Sequence, residues 1–529
     1  MQYQLLKSVS LLWKRSEQYL IKSDSGNKNL KVNHRLIPRL RYILQTISTK
    51  MDLNSSVVPP VEVKGMTVLN KEAFTTLVKI PGVKVPKQDI GKSQKIWKSL
   101  LFKVRGLKPV CELGDNDPER KTHSLILLDP DKTKLDALSP EQLETLKQFG
   151  LDVNNPVLYE VKLKYENWST ADIMRAVLPS DFDNVTSFTQ IGHIAHLNLK
   201  PESLPYKHLI GEVLLDKAPS VKTVVNKMGT IDNTYRNFQM ELLAGPENYV
   251  TQTKEHNCTF ELDFSKVYWN SRLATEHQRL VEIIPKKSIV YDVFAGIGPF
   301  SVPLGKRKKC KVFANDLNPH SFEYLKRNIH LNKIDTDCVE AFNLDGRDFI
   351  RTIVKQDVLD RVKKMHEKLG GKNTAITDSG EKVQEDIREG HNSSFVIMNL
   401  PAIAIEFLSE FNRILEDLPQ HLRRTEILEA VLPVVYCYAF SPKTDFETEL
   451  KSRAELSLGH SLPKDYSIRI VRNVAPNKEM VCLSFKLWSD LVLGLSANES
   501  GENVKRNSSA TDLELGTEQK SKKMKLIAE

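Results

Sequence analysis

Residues 288–301 read Ser-Ile-Val-Tyr-Asp-Val-Phe-Ala-Gly-Ile-Gly-Pro-Phe-Ser, and they carry the first chemistry in the chain. An apolar strand ends at Asp292, turns through Ala295-Gly296-Ile297-Gly298 and starts a helix at Pro299. Glycine lets a ligand approach the backbone closely. Proline suits the first helical turn, where no N–H is needed. The free N–H groups there face a nucleotide-like ligand. A dinucleotide site prefers a third glycine in G-x-G-x-x-G, and here Ser301 takes that place, which weakens a nicotinamide reading.

A second strand–turn–helix unit follows. Lys311-Val312-Phe313-Ala314-Asn315 runs into Asp316, an acid 20 residues after Gly296, close to the spacing of a ribose-binding carboxylate. Asn318 can cap the next helix, with Pro319 at its first position and Phe322, Leu325 and Ile329 on one face. One glycine turn alone is as readily an ordinary loop; two successive units, each with its acid, argue otherwise. Farther on, the apolar strand Ser394–Met398 stops at Asn399-Leu400-Pro401. Ligands of open α/β sheets bind beyond the carboxyl ends of strands. There an Asn offers a donor and an acceptor to a base edge, although Asn and Pro also end strands routinely. Upstream, Arg272, Glu276 and Arg279 share helical spacing, with His277 beside them; the same residues could form a plain helix surface.

The D-x-F-A-G-x-G form resembles motif I of class I S-adenosylmethionine-dependent methyltransferases. With VYWNSRLATEHQR at 267–279, then NDLNPH, NLDGRD, NLP and the late RNVAPNK segment at 472–478, the chain is similar to the eukaryotic, fungal-like tRNA (guanine-37-N1)-methyltransferases. The likeness covers the catalytic region closely and 52–265 loosely; it leaves out the leader, 354–392 and the tail. It implies an α/β chain: a C-terminal doubly wound, Rossmann-like class I methyltransferase domain preceded by smaller α+β RNA-binding modules. It implies S-adenosyl-L-methionine as cofactor, no metal, and tRNA, both anticodon loop and body, as partner. Residue by residue, Gly296 belongs to the cofactor turn. Asp316 and Leu317 would hold the ribose and adenine side, and Asp345 and Gly346 the adenine edge. His277 and Asn399 would complete the pocket. Arg272 and the Asn399–Pro401 loop, Pro401 included, would meet the target guanine.

The chemistry of guanine asks for a base and a cation. N1 of neutral guanine carries a proton, and removing it drives negative charge toward O6. A fixed guanidinium stabilises that charge, which favours Arg272. A carboxylate is the natural base; Glu276, Asp316 and Asp292 all stay open. Two other readings remain: an aminocarboxypropyl transfer from the same cofactor in tRNA hypermodification, and a non-catalytic RNA-binding protein with a decayed pocket. The intact acids and glycines argue against the latter.

These residues need a scaffold. At 529 residues the chain predicts three or so domains. The boundaries expected are a leader at 1–50, a tRNA-binding module at 51–145, an α/β module at 146–265, the methyltransferase domain at 266–494 with a charged inserted loop at 354–392, and a basic tail at 495–529. No apolar run is long enough to span a membrane, and six scattered cysteines without a C-x-x-C pair suggest neither zinc nor a disulfide framework. Residues 1–50 hold ten Lys/Arg against Glu17 and Asp24, so +8 of the net +9 sits there. This acid-poor, leucine-interleaved segment fits a mitochondrial transit peptide. Met51 offers a second start, so mitochondrial matrix and cytoplasm are both expected, with a weak nuclear address in the tail lysines. Residues 76–110 carry nine Lys/Arg against Asp89, with Trp97 and Phe102 interleaved, which could contact phosphates. Val157–Leu163 and 188–199 read as strands, with a helix over 209–215 and a strand over 220–228. His193 and His196, three apart in a strand, would point to opposite faces and form no metal pair. A monomer is expected.

Overall fold

A computed structural model describes residues 57–91, 98–133, 138–150, 156–179, 187–228, 239–335, 337–368 and 393–495. The leader, Lys92, Lys95, Trp97, the stretch 369–392 and the basic tail lie outside the described residues. The chain divides into two compact units, Met1–Phe182 and Asp183–Glu529.

The first unit is built on β1 (Thr76–Pro86), β2 (Val110–Cys111), β3 (His123–Leu127) and β4 (Leu158–Leu163), all antiparallel in the order β2-β3-β1-β4. Helices α1 (Pro140–Gln148) and α2 (Thr170–Val177) accompany the sheet. The strand expected at 157–163 forms, but the boundary expected at 145/146 falls inside α1. The reason is pairing: β4 matches β1 from Thr76 opposite Leu163 to Pro81 opposite Leu158, so it completes the first sheet. The cationic stretch is also less open than expected. Lys84 Nζ lies 2.8 Å from both Asp117 and Glu119, and Phe102 is buried in the core rather than offered to solvent.

The second unit opens with a mixed sheet of β5 (Thr189–Ile191), β6 (Ile194–Leu197), β7 (Thr223–Met228) and β8 (Gln239–Ala244), with α3 (Lys207–Lys217). The helix and strand expected over 209–228 are present. The segment 188–199 is a hairpin instead of one strand, because Gly192 turns the chain with φ +53° at a place where a Cβ would strike Thr251. His193 therefore sits in the turn, its Nδ1 3.0 Å from Thr251 Oγ1, while His196 lies within β6. No His/Cys/Asp/Glu cluster that could hold a metal occurs among the described residues.

A second hairpin, β9 (Val250–Glu255) with β10 (Cys258–Asp263), leads to α4 (Ala274–Ile283), β11 (Ile289–Asp292), α5 (Ser301–Lys308), β12 (Lys311–Asn315), α6 (Pro319–Leu331) and β13 (Val339–Phe342). Asn328 of α6 and Asn332, which caps its end, satisfy the hairpin backbone. Asn328 Oδ1 accepts from Glu261 N at 2.8 Å, and Asn332 Oδ1 accepts from Thr259 N at 3.0 Å. The hairpin thus packs as part of the methyltransferase domain, which begins near 250 and not at 266. The chain continues through α7 (Gly346–Phe349), a wider turn at Ile350–Val354 and α8 (Lys355–Lys368), then β14 (Ser394–Met398), α9 (Thr425–Val431), β15 (Val434–Pro442), α10 (Phe446–Leu458), β16 (Ser467–Ala475), β17 (Lys478–Lys486) and α11 (Ser489–Leu493). The inserted loop expected from residue 354 is corrected over 355–368. That stretch is helix, because Val358, Val362 and Met365 recur at helical spacing and are buried.

The large sheet runs β13-β12-β11-β14-β15-β17-β16. The first five strands are parallel; β17 pairs antiparallel with both β15 and β16. One face is covered by Leu280, Val302, Leu325 and Ile329 from α4, α5 and α6, the other by Val358, Leu428, Leu450 and Leu491 from α8 to α11. Successive connections from β11 lead outward to β12 on one side, and the chain later returns to β14 on the other. The order therefore reverses between β11 and β14, and a crevice for ligand opens at such a point, beyond the carboxyl ends of the strands.

Candidate active site

The turn after β11 lies at this switch point. Gly296 (φ +55°) and Gly298 (φ +96°) both occupy backbone regions that L side chains rarely adopt, for different reasons. A Cβ on Gly298 would meet Val302 at 2.7 Å and Leu325 at 2.8 Å, so that glycine serves packing. A Cβ on Gly296 would meet nothing within 4 Å, so that glycine faces open space. Asp316, just past β12, is tied to this turn. Its Oδ2 accepts from Gly296 N at 2.8 Å and its Oδ1 from Asn318 N at 2.9 Å. The Ser321 side chain bonds the same carboxylate, so of its roughly four acceptor positions one remains for a ligand hydroxyl. Burial raises the Asp316 carboxyl above the usual range, opposed by those backbone donors. Leu317 beside it is exposed, an apolar surface at the rim of the crevice.

Asp345 caps α7, accepting from Arg347 N at 2.8 Å. Gly346 is buried where a Cβ would press on Phe294 at 2.9 Å, so this turn packs against the residue that follows the β11 strand by two. Asn315, wholly buried, fastens three strand ends together: its Nδ2 donates to the carbonyls of Val293 and Leu344, and its Oδ1 accepts from Leu344 N. Asn343 Nδ2 donates to the carbonyls of Asp316 and Leu317. Sequence reasoning missed both asparagines; a polar residue at the end of an otherwise apolar strand was the available signal for Asn315.

Asp292 is fully buried under the turn. Ser301 Oγ donates to its Oδ2 at 2.6 Å, and its Oδ1 has no partner among the described residues. Burial pushes its carboxyl up to about 7; Ser301 opposes that rise, and the neighbouring charge of Asp316 adds to it. Ser301, where a dinucleotide site would carry glycine, thus has its own task.

Asn399, after β14, has a buried Oδ1 without a partner among the described residues. Pro401 is held from the next strand: Phe440 N donates to its carbonyl at 2.8 Å. An acceptor with nothing to accept, an open glycine face, an exposed leucine and a ribose-type acid on adjoining strand ends fit a nucleoside with both hydroxyls and a base edge.

The α4 residues divide differently. Arg272 sits in the short turn Ser271–Leu273 capped by Asn270, ahead of α4 and not within it. It is exposed and has no ion-pair partner among the described residues. Burial, with the charges of Lys227 and then Arg272, lowers His196 to about 4. Glu276 is buried and occupied: Arg279 donates from Nε at 2.7 Å and from Nη2 at 2.5 Å, and Tyr438 OH donates at 2.8 Å. Three donors hold this carboxylate and make it the tie between α4 and β15. His277 is buried too, Nδ1 2.6 Å from Glu255 Oε1, its ring 4.8 Å from Phe300 at the end of the glycine turn. It braces the turn through Phe300.

A family model described as the TRM5/TYW2 methyltransferase domain matches residues 251–381, and one described as the TYW2 N-terminal domain matches 170–248. The chain is 45% identical over 87% of its length, and 85% of the relative, to a tRNA (guanine(37)-N(1))-methyltransferase of Xenopus tropicalis. It is 43% identical over 81% of its length, and 77% of the relative, to the protein of that name in Homo sapiens. The chain belongs to the tRNA (guanine(37)-N1)-methyltransferase family. Those relatives are animal proteins, so the fungal-like placement has no support among them. Of solved structures, the chain is similar to one described as the complex of aTrm5 and tRNALeu, at 21% identity and a TM-score of 0.48, over 77% of this chain and 99% of that one. The start of the family domain at 251 agrees with the packing of the β9–β10 hairpin against α6.

Proposed function

We propose that this chain transfers the methyl group of S-adenosyl-L-methionine to N1 of guanine at position 37 of tRNA. The observation that carries the reading is the set of strand ends at one switch point, Gly296 and Asp316 on one side and Asn399 on the other, in a chain of this family. S-adenosyl-L-methionine, when bound, supplies a methyl group already activated on a sulfonium, so no nucleophilic side chain is needed. Asp316 would hold the ribose of the cofactor, Leu317 would cover one face of its adenine, and Asp345 with Gly346 would line the adenine edge. Asn399 and Pro401, held by Phe440, orient the target base, and the Asn399 carbonyl takes a proton-bearing edge. Arg272 offers its guanidinium to O6 as charge develops there. The N1 proton passes to a carboxylate, and Asp292 is the one with an oxygen unpartnered among the described residues and a carboxyl pushed by burial to about 7. The base must leave its stack to reach these groups, which costs a few kcal/mol and less in a loop than in a duplex.

Methyl transfer to tRNA carrying G or A at position 37 tests the reading; equal transfer to both refutes it. The released product separates it from aminocarboxypropyl transfer, since S-adenosylhomocysteine is expected and methylthioadenosine is not. We further take the acid-poor leader to direct part of the protein to the mitochondrial matrix, with initiation at Met51 leaving a cytoplasmic form and the tail lysines allowing a nuclear one. A reporter fused to residues 1–50 should enter mitochondria, and a purely cytosolic signal would end that proposal. We take the protein to be a monomer; light scattering that returns twice the chain mass would refute this.

A further inference from the structure

The RNVAPNK segment has no part in the chemistry above, yet the fold puts it beside the site. It forms the end of β16 and the tip of the β16–β17 hairpin at the outer edge of the large sheet. Because β17 runs antiparallel to β15, the tip lies at the carboxyl end of the parallel strands, the end that carries Gly296, Asp316 and Asn399. Lys443 N donates to the Asn477 carbonyl at 3.3 Å, tying the tip to the end of β15.

Register arranges the cations of this hairpin. Arg469 stands opposite Cys482, which stands opposite Tyr438; Arg472 stands opposite Met480, which stands opposite Phe440. Lys478, Met480 and Cys482 alternate onto one face. Register shifts at Ile470/Arg472 and Asn473/Ala475 keep Arg469 and Arg472 on that face although they are three apart. The face is the one that bears α4. Arg469 Nε is 3.9 Å from Glu276 in the first turn of α4, and the Lys478 ammonium lies 4.6 Å from the ring centre of Phe440, the residue that holds Pro401. A row of three cations thus runs from α4 to the NLP loop. No residue of β16 is fully buried, and its outer edge is unpaired in the sheet. Among the described residues, Arg472 and Lys478 have no ion-pair partner. The hairpin's one acid, Glu479, is buried and alternates onto the opposite face.

We propose that this row, Arg469, Arg472 and Lys478, holds the backbone phosphates of the tRNA nucleotides flanking the target base. The inference rests on the function proposed above. Charge complementarity selects the occupant: cations on an open, twisted edge track a single-stranded phosphate backbone, and the row ends where the base would enter.

The test is the salt dependence of tRNA binding by the full chain with Arg472→Gln and Lys478→Gln combined, measured by fluorescence anisotropy between 50 and 200 mM KCl. Each lost phosphate contact on a single strand should flatten the log–log slope by roughly 0.7, so the pair by about 1.4, with KM for tRNA raised roughly 3- to 10-fold. Affinity for S-adenosyl-L-methionine and the unfolding midpoint should stay at wild-type values. An unchanged slope overturns the proposal. If the double variant unfolds, Arg472→Gln alone decides, because among the described residues that side chain makes one hydrogen bond, 3.4 Å to the Asn473 carbonyl; its slope must still fall by about 0.7. Should wild type form dimers that the double variant breaks, the edge belongs to a second copy and the proposal fails. If wild type ignores the base at position 37 while the variants still flatten the slope, the function reading fails and the RNA surface stands.

Discussion

Replacing Asp292 by Asn should make the protein less sensitive to rising pH. The carboxyl is completely buried, receives one hydroxyl donor from Ser301 and leaves its other oxygen without a partner. Burial therefore disfavours the charged form and lifts the group from its ordinary 3.8 to about 7. The folded chain then holds a proton that the unfolded chain has released. Folding stability must fall as pH rises between those two values and level off above them. At about 1.4 kcal/mol per pH unit, the full loss is of order 4 kcal/mol. Asn cannot ionise, keeps an acceptor for Ser301 and removes this loss. Urea unfolding of wild type and Asp292→Asn at pH 5, 6, 7 and 8, followed by far-ultraviolet circular dichroism and intrinsic tryptophan fluorescence, measures the difference. The variant should gain on wild type steadily from pH 5 to about 7, and the gap should then stay constant. Parallel curves at all four pH values would refute the argument that this carboxyl is desolvated without compensation. A gap that instead narrows with rising pH would mean the folded state prefers the charge.

The remaining expectations concern the site. Arg272→Ala should lower kcat for methyl transfer about 10²–10³-fold, the usual loss for one donor to a developing oxyanion, with cofactor affinity unchanged in a binding titration; equal loss of both would remove Arg272 from the target base. Gly296→Ala should fold at a cost of about 1–2 kcal/mol for its left-handed backbone yet weaken cofactor binding, because its Cβ enters the open space. Gly298→Ala should destabilise more than Gly296→Ala, since its Cβ collides with Val302 and Leu325; thermal unfolding and cofactor titration of the two variants should rank them in opposite orders.

What the sequence made legible was local, and what it hid was pairing across distance. The glycine turn, Asp316 and Asn399 were readable because each ends an apolar strand, and strand ends at a switch point are where ligands go. The role of α8 was hidden by its charges, although Val358, Val362 and Met365 kept helical spacing within it. The first module looked shorter than it is because β4 reaches back across some 80 residues to β1, and no local pattern records a partner so far away. Glu276 shows the limit most sharply. Its spacing from Arg272 suggested a base beside the target, and nothing near it in sequence announced Tyr438, 162 residues on, whose hydroxyl takes part of its bonding capacity. A carboxylate serves as a base through a lone pair free to accept, so distant partners as much as spacing set what Glu276 has left to offer. The same test, applied to Asp292 and Asn399, leaves each with one unpartnered oxygen. Those oxygens are where the scaffold remains chemically unfinished, and that is the property a site for cofactor and base requires.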